Sequence, residues 1–136
     1  MKKSKKDLLK WYNEEYCLEA IKQNWKALQY VRNQTDKICL EAIKQNEWSL
    51  QYVRNQTDKI CLEAVKQNGW ILQFVKNPTE EIYLAAVKQD PWVLQLIQNQ
   101  TREICLEALN RNIKTIKYID IKKFSRVYEK YLFMIK

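Results

Sequence analysis

A segment of fifteen residues occurs twice in this chain without a single change. Leu28–Ala42 reads LQYVRNQTDKICLEA, and Leu50–Ala64 repeats it letter for letter. When Cys17, Cys39, Cys61, Tyr83 and Cys105 are aligned, five copies follow one another at a constant step of 22 residues. Self-similarity at a period of this length is typical of stacked arrays, in which each unit buries its apolar face against its neighbours. The repeat therefore constrains the fold more than any other feature.

The residues of one copy predict two short helices. The chain has one Gly and two Pro, which favours helices with short connections over a multi-stranded sheet. In the second copy Thr35 is a suitable N-cap, and the Asn46 column suits a helix end or an αL residue. Trp48–Val53 then forms a second helix. Because helices of roughly 10 and 7 residues are marginal alone, stacking must hold them, and we predict an all-α fold, an α-solenoid of five two-helix repeats.

Both ends of the array have sequences typical of a capping helix. Ser4 and Asp7 have the spacing of a capping box, and Leu8, Trp11 and Tyr12 follow at helical intervals, which predicts an amphipathic helix over residues 5–12. Ser125 begins another, whose apolar side is formed by Val127, Tyr128, Tyr131, Leu132 and Ile135. We predict one domain over residues 1–136, with an N-terminal cap (1–12), five repeats (13–122) and a C-terminal capping helix (123–136).

The positive charge of the chain is concentrated at its two ends. Residues 1–12 carry five Lys and one Asp (+4), residues 13–110 carry eleven basic and thirteen acidic side chains (−2), and residues 111–136 carry eight and two (+6), which sum to the net charge of +8. A basic stripe along the repeats, as nucleic-acid readers have, is not predicted. The sequence contains neither a signal-peptide pattern nor a long apolar run, so we expect a cytoplasmic protein without a membrane partner.

The composition argues against catalysis and against a bound cofactor. The chain has no His, which removes the commonest general base and most zinc sites. A single Gly excludes the glycine-rich phosphate-binding motifs. Equivalent cysteines in stacked units would lie roughly 8–10 Å apart, beyond disulfide reach, so they are interpreted as buried thiols. We therefore expect no enzyme activity, no cofactor, no metal and no small-molecule substrate.

Two repeated columns leave alternatives open. Trp48, Trp70 and Trp92, with Trp25 one position early, fit inter-repeat packing and also fit an aromatic surface on which bases stack. The column of Arg32, Arg54 and Lys76 continues with Gln98 and Asp120, so its charge changes along the array. The near-identity of the second and third copies argues against sequence-specific reading of RNA, which needs varied side chains at fixed places.

The recurring EAIKQNxxxLQYVRNQT, as at Glu19–Thr35 and Glu41–Thr57, resembles a family of short helical repeats of unknown function built around a KQN...LQYV core. The resemblance covers residues 13 to about 110. It implies a helical-repeat fold and an occurrence in giant-virus and some bacterial proteins, and it brings no catalytic residues.

Our first hypothesis is a non-enzymatic module that binds a protein partner. Its small size, its basic ends and the viral distribution of similar repeats suggest an inhibitor encoded by a phage or virus, including one that blocks an RNA-guided nuclease such as a CRISPR effector. The alternative is RNA or DNA binding without sequence specificity through the basic termini, which include Lys2, Lys3, Lys5 and Lys6. The candidate partner-binding residues are Arg32, Arg54, Lys76, Lys26, Glu47, Lys114, Lys117, Lys122, Lys123 and Arg126.

Overall fold

The computed structural model describes residues 2–132, and all of its regular structure in that range is helical. The α-helices are α1 (Lys5–Leu9), α2 (Glu14–Gln23), α3 (Asp36–Gln45), α4 (Asp58–Gln67), α5 (Glu80–Gln89), α6 (Arg102–Arg111) and α7 (Ser125–Leu132). The 3₁₀ helices are η1 (Lys10–Tyr12), η2 (Trp25–Tyr30), η3 (Glu47–Tyr52), η4 (Gly69–Phe74), η5 (Pro91–Leu96) and η6 (Ile113–Tyr118). Each repeat thus combines one α-helix of ten residues with one 3₁₀ helix of six.

The α-helix of a repeat begins and ends at the predicted residues. In the second copy the Thr35 hydroxyl accepts a hydrogen bond from the Ile38 N–H at 3.4 Å. Asn46 follows the last turn with an extended backbone (φ −159°), so the αL alternative is not adopted. The Asn46 side chain instead accepts the Trp48 N–H at 2.9 Å and caps the next helix. One polar residue thus ends one helix and begins another.

The second helix of each repeat is a 3₁₀ helix. The sequence predicted a short helix at this place but did not distinguish the tighter 3₁₀ form from the α form. Runs of this length are uncommon because 3₁₀ hydrogen-bond geometry is poorer than that of the α-helix. Here a glutamine inside the helix bonds a carbonyl of its own first turn, as Gln51 Nε2 does to the Trp48 carbonyl at 2.9 Å. The same bond recurs at Gln29, Gln73 and Gln95. This side-chain bond adds to the backbone hydrogen bonds of the short helix.

The chain divides into two compact units, and the division falls between Ala64 and Val65. In the first unit α2 packs on α3 and η2 packs on η3. Trp11 of η1 lies against Tyr16 and Tyr30, with ring centroids 5.2 and 5.4 Å apart. The prediction of a capping helix with a buried apolar side is wrong at Leu8 and Tyr12, which are 38% and 62% exposed. Among residues 2–12, Trp11 of η1 supplies the described aromatic ring contacts with the first repeat.

In the second unit α5 packs on α6, and α7 packs on α6 and on η6. Val127 of α7 is buried, and the Tyr131 hydroxyl lies 3.2 Å from Asn110 Oδ1. Ile135, predicted on the same side of this helix, lies outside the described residues. The fifth copy has lost its Trp, yet η6 keeps the cap and the buried residues of the other copies. The terminal repeat is therefore degenerate in sequence and regular in structure.

The repeat pattern predicts the residues of the core. On α3 the side chains of Ile38, Cys39, Ala42 and Ile43 are buried, and the equivalent residues of α6 are buried as well. Leu40, predicted on the same arc, is only half-buried. Within each unit successive repeats stack in tandem, which confirms the predicted all-α fold of the α-solenoid class.

Candidate functional site

One glutamine makes three hydrogen bonds at the joint between the first and second repeats. Gln34 Nε2 donates to the Leu28 carbonyl at 3.1 Å and to the Tyr52 carbonyl at 2.9 Å. Its Oε1 accepts the Arg54 N–H at 2.9 Å. A single carboxamide thus uses two donors and one acceptor to fasten two repeats. We call this arrangement the glutamine clamp, and it explains the Gln of the recurring NQT.

Two bonds of the glutamine clamp recur between the fourth and fifth repeats. Gln100 Nε2 donates to the Tyr118 carbonyl at 2.8 Å, and Gln100 Oε1 accepts the Asp120 N–H at 3.1 Å. The Cys105 thiol lies 3.6 Å from the same Oε1. At this joint the cysteine of the repeat therefore supports the clamp.

Burial governs the chemistry of the cysteines. Cys17, Cys39, Cys61 and Cys105 are free and buried, as predicted. Burial raises the pKa of the Cys39, Cys61 and Cys105 thiols to about 11, and it also raises the pKa of Cys17. A thiol that stays protonated at neutral pH is a poor nucleophile and a poor metal ligand.

The arginine column has a structural use at its second member. Arg54 Nη2 donates to the carbonyls of Val31 and Arg32 at 2.6 and 3.0 Å. Lys123 makes a comparable contact in the second unit, where its Nζ lies 3.0 Å from the Gln100 carbonyl. Arg32 and Lys76 are exposed. Arg54 thus bonds the second repeat to the first. The change of charge along the arginine column did not predict this role.

The tryptophan column packs between repeats and remains partly exposed. The ring centroids of Trp25 and Tyr52 lie 6.0 Å apart, and those of Trp92 and Tyr118 lie 6.1 Å apart. Trp48 is 36% exposed. At Trp25 and Trp92 the inter-repeat interpretation agrees with these contacts. The backbone at Trp25 also matches the other copies, since Asn24 caps η2 as Asn46 caps η3.

Two of the predicted binding residues, Lys123 and Arg126, lie together in a groove between α6 and α7. The groove has a volume of about 660 Å³. Its basic lining also includes Arg102 and Lys130, and the remaining lining residues are Leu106, Asn110, Phe124, Ser125, Val127 and Tyr131. Among these described lining residues none is acidic. We call this feature the basic groove; it joins four cations with an apolar and aromatic wall.

The basic residue at position 102 was a sequence indication of the groove, and the predictions missed it. The first residue of the repeat α-helix is acidic in the other four copies, namely Glu14, Asp36, Asp58 and Glu80. An acidic residue there is favoured by the helix dipole, whereas a cation is disfavoured by typically 0.3–1 kcal/mol. The last copy reverses the charge at the position that faces the groove. A locally unfavourable residue of this kind is typical of a functional position.

The other predicted binding residues are dispersed over the surface. Lys26 is exposed and Glu47 is half-buried at the start of η3. Lys114, Lys117 and Lys122 are exposed, and Lys117 Nζ lies over the rings of Trp92 and Tyr118 at 5.3 and 5.0 Å. None of these five residues lines the basic groove as the structure describes it. Lys130 and Tyr131 do line it. They follow Arg126 and Val127 on α7 at a spacing of i, i+4, and this spacing was the sequence signal from which they could have been predicted.

Over residues 2–132, no group of three or more His, Cys, Asp or Glu side chains is arranged to hold a metal ion. Among the same residues, no helix combines the length and the apolar character that crossing a bilayer requires.

One family model matches the chain three times, at residues 13–57, 36–78 and 79–124, and its description is domain of unknown function DUF4116. Each match covers about two of the 22-residue copies. No curated protein and no solved structure matches the chain. The matches agree with the resemblance to short helical repeats and extend it to residue 124.

Proposed function

We propose that this chain, which belongs to the family described as domain of unknown function DUF4116, is a non-enzymatic module that binds an acidic segment of a protein partner. The observation that carries the proposal is the basic groove, where Arg102, Lys123, Arg126 and Lys130 line one cavity. Of the candidate residues predicted from sequence, the proposed binding site includes only Lys123 and Arg126.

The size of the groove favours a short segment. The eight residues of α7 span about 12 Å at 1.5 Å per residue, which matches roughly four residues of extended chain. Leu106 and Val127 add apolar lining to the same groove. A segment that alternates carboxylate and apolar side chains would complement both, since acidic groups meet the rim while apolar groups are removed from water.

The proposal is tested with a fluorescein-labelled peptide that alternates Glu and Leu, by fluorescence anisotropy against the full chain. The double variant Arg126→Glu/Lys130→Glu should weaken binding by at least about tenfold, or 1.4 kcal/mol. Lys5→Glu/Lys6→Glu is the matched control, because it makes the same change in net charge at two exposed lysines of α1. Equal losses in the two variants would show that binding follows net charge and would contradict the proposal.

The alternative function is binding of RNA or DNA without sequence specificity through the basic termini. Phe124 and Tyr131 beside the groove cations support it, because aromatic side chains and cations together hold single strands. A labelled oligouridine replaces the peptide in the same assay. Tighter binding of the oligonucleotide, with an affinity that falls steeply between about 50 and 200 mM salt, would favour this alternative over the acidic protein segment.

A narrower form of the proposal is that the module acts in the cytoplasm as an inhibitor of a larger protein, such as an RNA-guided nuclease. Its support is the basic groove, which would receive a short acidic segment exposed on such a partner. Cleavage of target DNA by such a nuclease should slow when the wild-type chain is added and should not slow with Arg126→Glu/Lys130→Glu. An unchanged cleavage rate with both chains would overturn this narrower form.

A further inference from the structure

The joint between the third and fourth repeats lacks the glutamine clamp. Pro78 stands where the other joints have Gln34, Gln56 and Gln100, and Tyr83 replaces the cysteine that follows. Two residues that take part in the clamp between the fourth and fifth repeats, Gln100 and Cys105, thus have their counterparts replaced together at this joint, within the second unit.

Because Pro78 replaces the glutamine, backbone groups at this joint lack the hydrogen bonds that their counterparts make with Gln34 at the first joint. Gln34 bonds the carbonyls of Leu28 and Tyr52 and the N–H of Arg54, and the equivalent residues here are Leu72, Leu96 and Gln98. Among the described residues the Leu96 carbonyl and the Gln98 N–H have no hydrogen-bond partner. The Leu72 carbonyl keeps only the Val75 N–H, at 3.1 Å.

A cavity of about 300 Å³ lies at this joint. It is lined by Leu72, Gln73, Val75, Pro78, Tyr83, Leu96, Gln98 and Asn99, and this set contains all three residues whose counterparts bind the clamp glutamine. The joint between the first and second repeats therefore shows what this cavity is shaped to bind: two carbonyl acceptors and one N–H donor form the complement of a primary carboxamide.

We propose that this joint is a binding site for a primary carboxamide supplied by a ligand, either the side chain of a partner's glutamine or a small free amide. The ligand NH₂ donates to the Leu72 and Leu96 carbonyls, and the ligand carbonyl accepts the Gln98 N–H. A carboxylate of the same shape has no donor and would place negative charge against two carbonyl oxygens. The site thus discriminates an amide from an acid by hydrogen-bond polarity.

The test uses propionamide, which has the atoms of a glutamine side chain, and propionate, its acid isostere. The Gln98 backbone amide is followed by ¹⁵N–¹H correlation spectra of the full chain during titration. Propionamide should shift the Gln98 signal with a Kd in about the millimolar range, and propionate should leave it in place. No shift at saturating propionamide, or an equal shift with propionate, would overturn the proposal.

Two variants at one position complete the test. Pro78→Gln supplies an internal carboxamide and should abolish the propionamide shift, whereas Pro78→Ala removes the proline without supplying an amide and should keep it. A peptide that carries one glutamine distinguishes the sources: tighter binding than propionamide assigns the site to a partner side chain, and equal binding assigns it to a small amide. Retention of the shift in Pro78→Gln would refute the site even if Pro78→Ala behaves as expected.

Discussion

Replacement of Gln34 by Met should loosen the joint between the first two repeats. Met has nearly the volume of Gln and no hydrogen-bonding amide, so the variant leaves the carbonyls of Leu28 and Tyr52 and the N–H of Arg54 without the clamp. Each part-buried bond contributes about 1 kcal/mol and the more exposed bond about 0.5 kcal/mol. The opening free energy of this joint should therefore fall by about 2–3 kcal/mol.

Native-state hydrogen exchange measures this loss where it occurs. The Arg54 amide should exchange roughly 30- to 150-fold faster in Gln34→Met, because 1.4 kcal/mol corresponds to a factor of ten. Gln29→Met is the matched control, since Gln29 donates one exposed bond, to the Lys26 carbonyl at 3.1 Å, and its loss should cost less than about 0.5 kcal/mol. Unchanged exchange at Arg54, or equal effects of the two variants, would refute the clamp.

Three further perturbations have a definite expected sign. Ser49→Ala should raise the free energy of unfolding in urea by about 1 kcal/mol, because the Ser49 hydroxyl is buried without a partner among the described residues and Ala27 occupies the equivalent position; a loss of stability would contradict this. Arg102→Asp should stabilise α6 by about 0.5–1 kcal/mol and weaken binding of the Glu-Leu peptide, and unchanged binding would remove Arg102 from the site. Burial raises the pKa of the Cys39 thiol from 9.0 to about 11, so the contribution of this thiol to stability is full below pH 9 and is lost as the pH rises toward 11. In urea unfolding from pH 8 to 11, Cys39→Ala should therefore lose less stability than the wild-type chain. An identical decline in both chains would show that the thiol has no part in the pH dependence.

Local signals in the sequence were sufficient for the periodic part of the fold. Thr35 and Asn46 mark helix ends because their side chains bond backbone groups two or three residues away, and such bonds do not depend on tertiary structure. The 3₁₀ form of the second helix was not predictable from apolar spacing, since six residues are too few to separate the two helical periods. The clamp was also hidden, because Gln34 bonds the carbonyl of Tyr52, a residue of the next repeat.

The candidate site was predicted only in part. The positive C-terminal end indicated Lys123 and Arg126, but the groove also needs Arg102, which lies on another helix. Contacts between helices depend on how α7 packs on α6, and a charge count along the sequence carries no information on that packing. The reversal of charge at Arg102 was visible in the alignment of the copies, and a comparison of every column would have found it.

The most direct test of the proposed binding site is to map where the acidic peptide contacts the chain. In ¹⁵N–¹H correlation spectra recorded during titration with the Glu-Leu peptide, the proposal predicts that the largest shifts fall on α6 and α7, at residues that include Arg102, Asn110, Arg126 and Lys130. The shifts should vanish in Arg126→Glu/Lys130→Glu and persist in Lys5→Glu/Lys6→Glu. Shifts centred on residues before Ala64, or none at α6 and α7 at saturating peptide, would contradict the assignment of the basic groove as the partner-binding site.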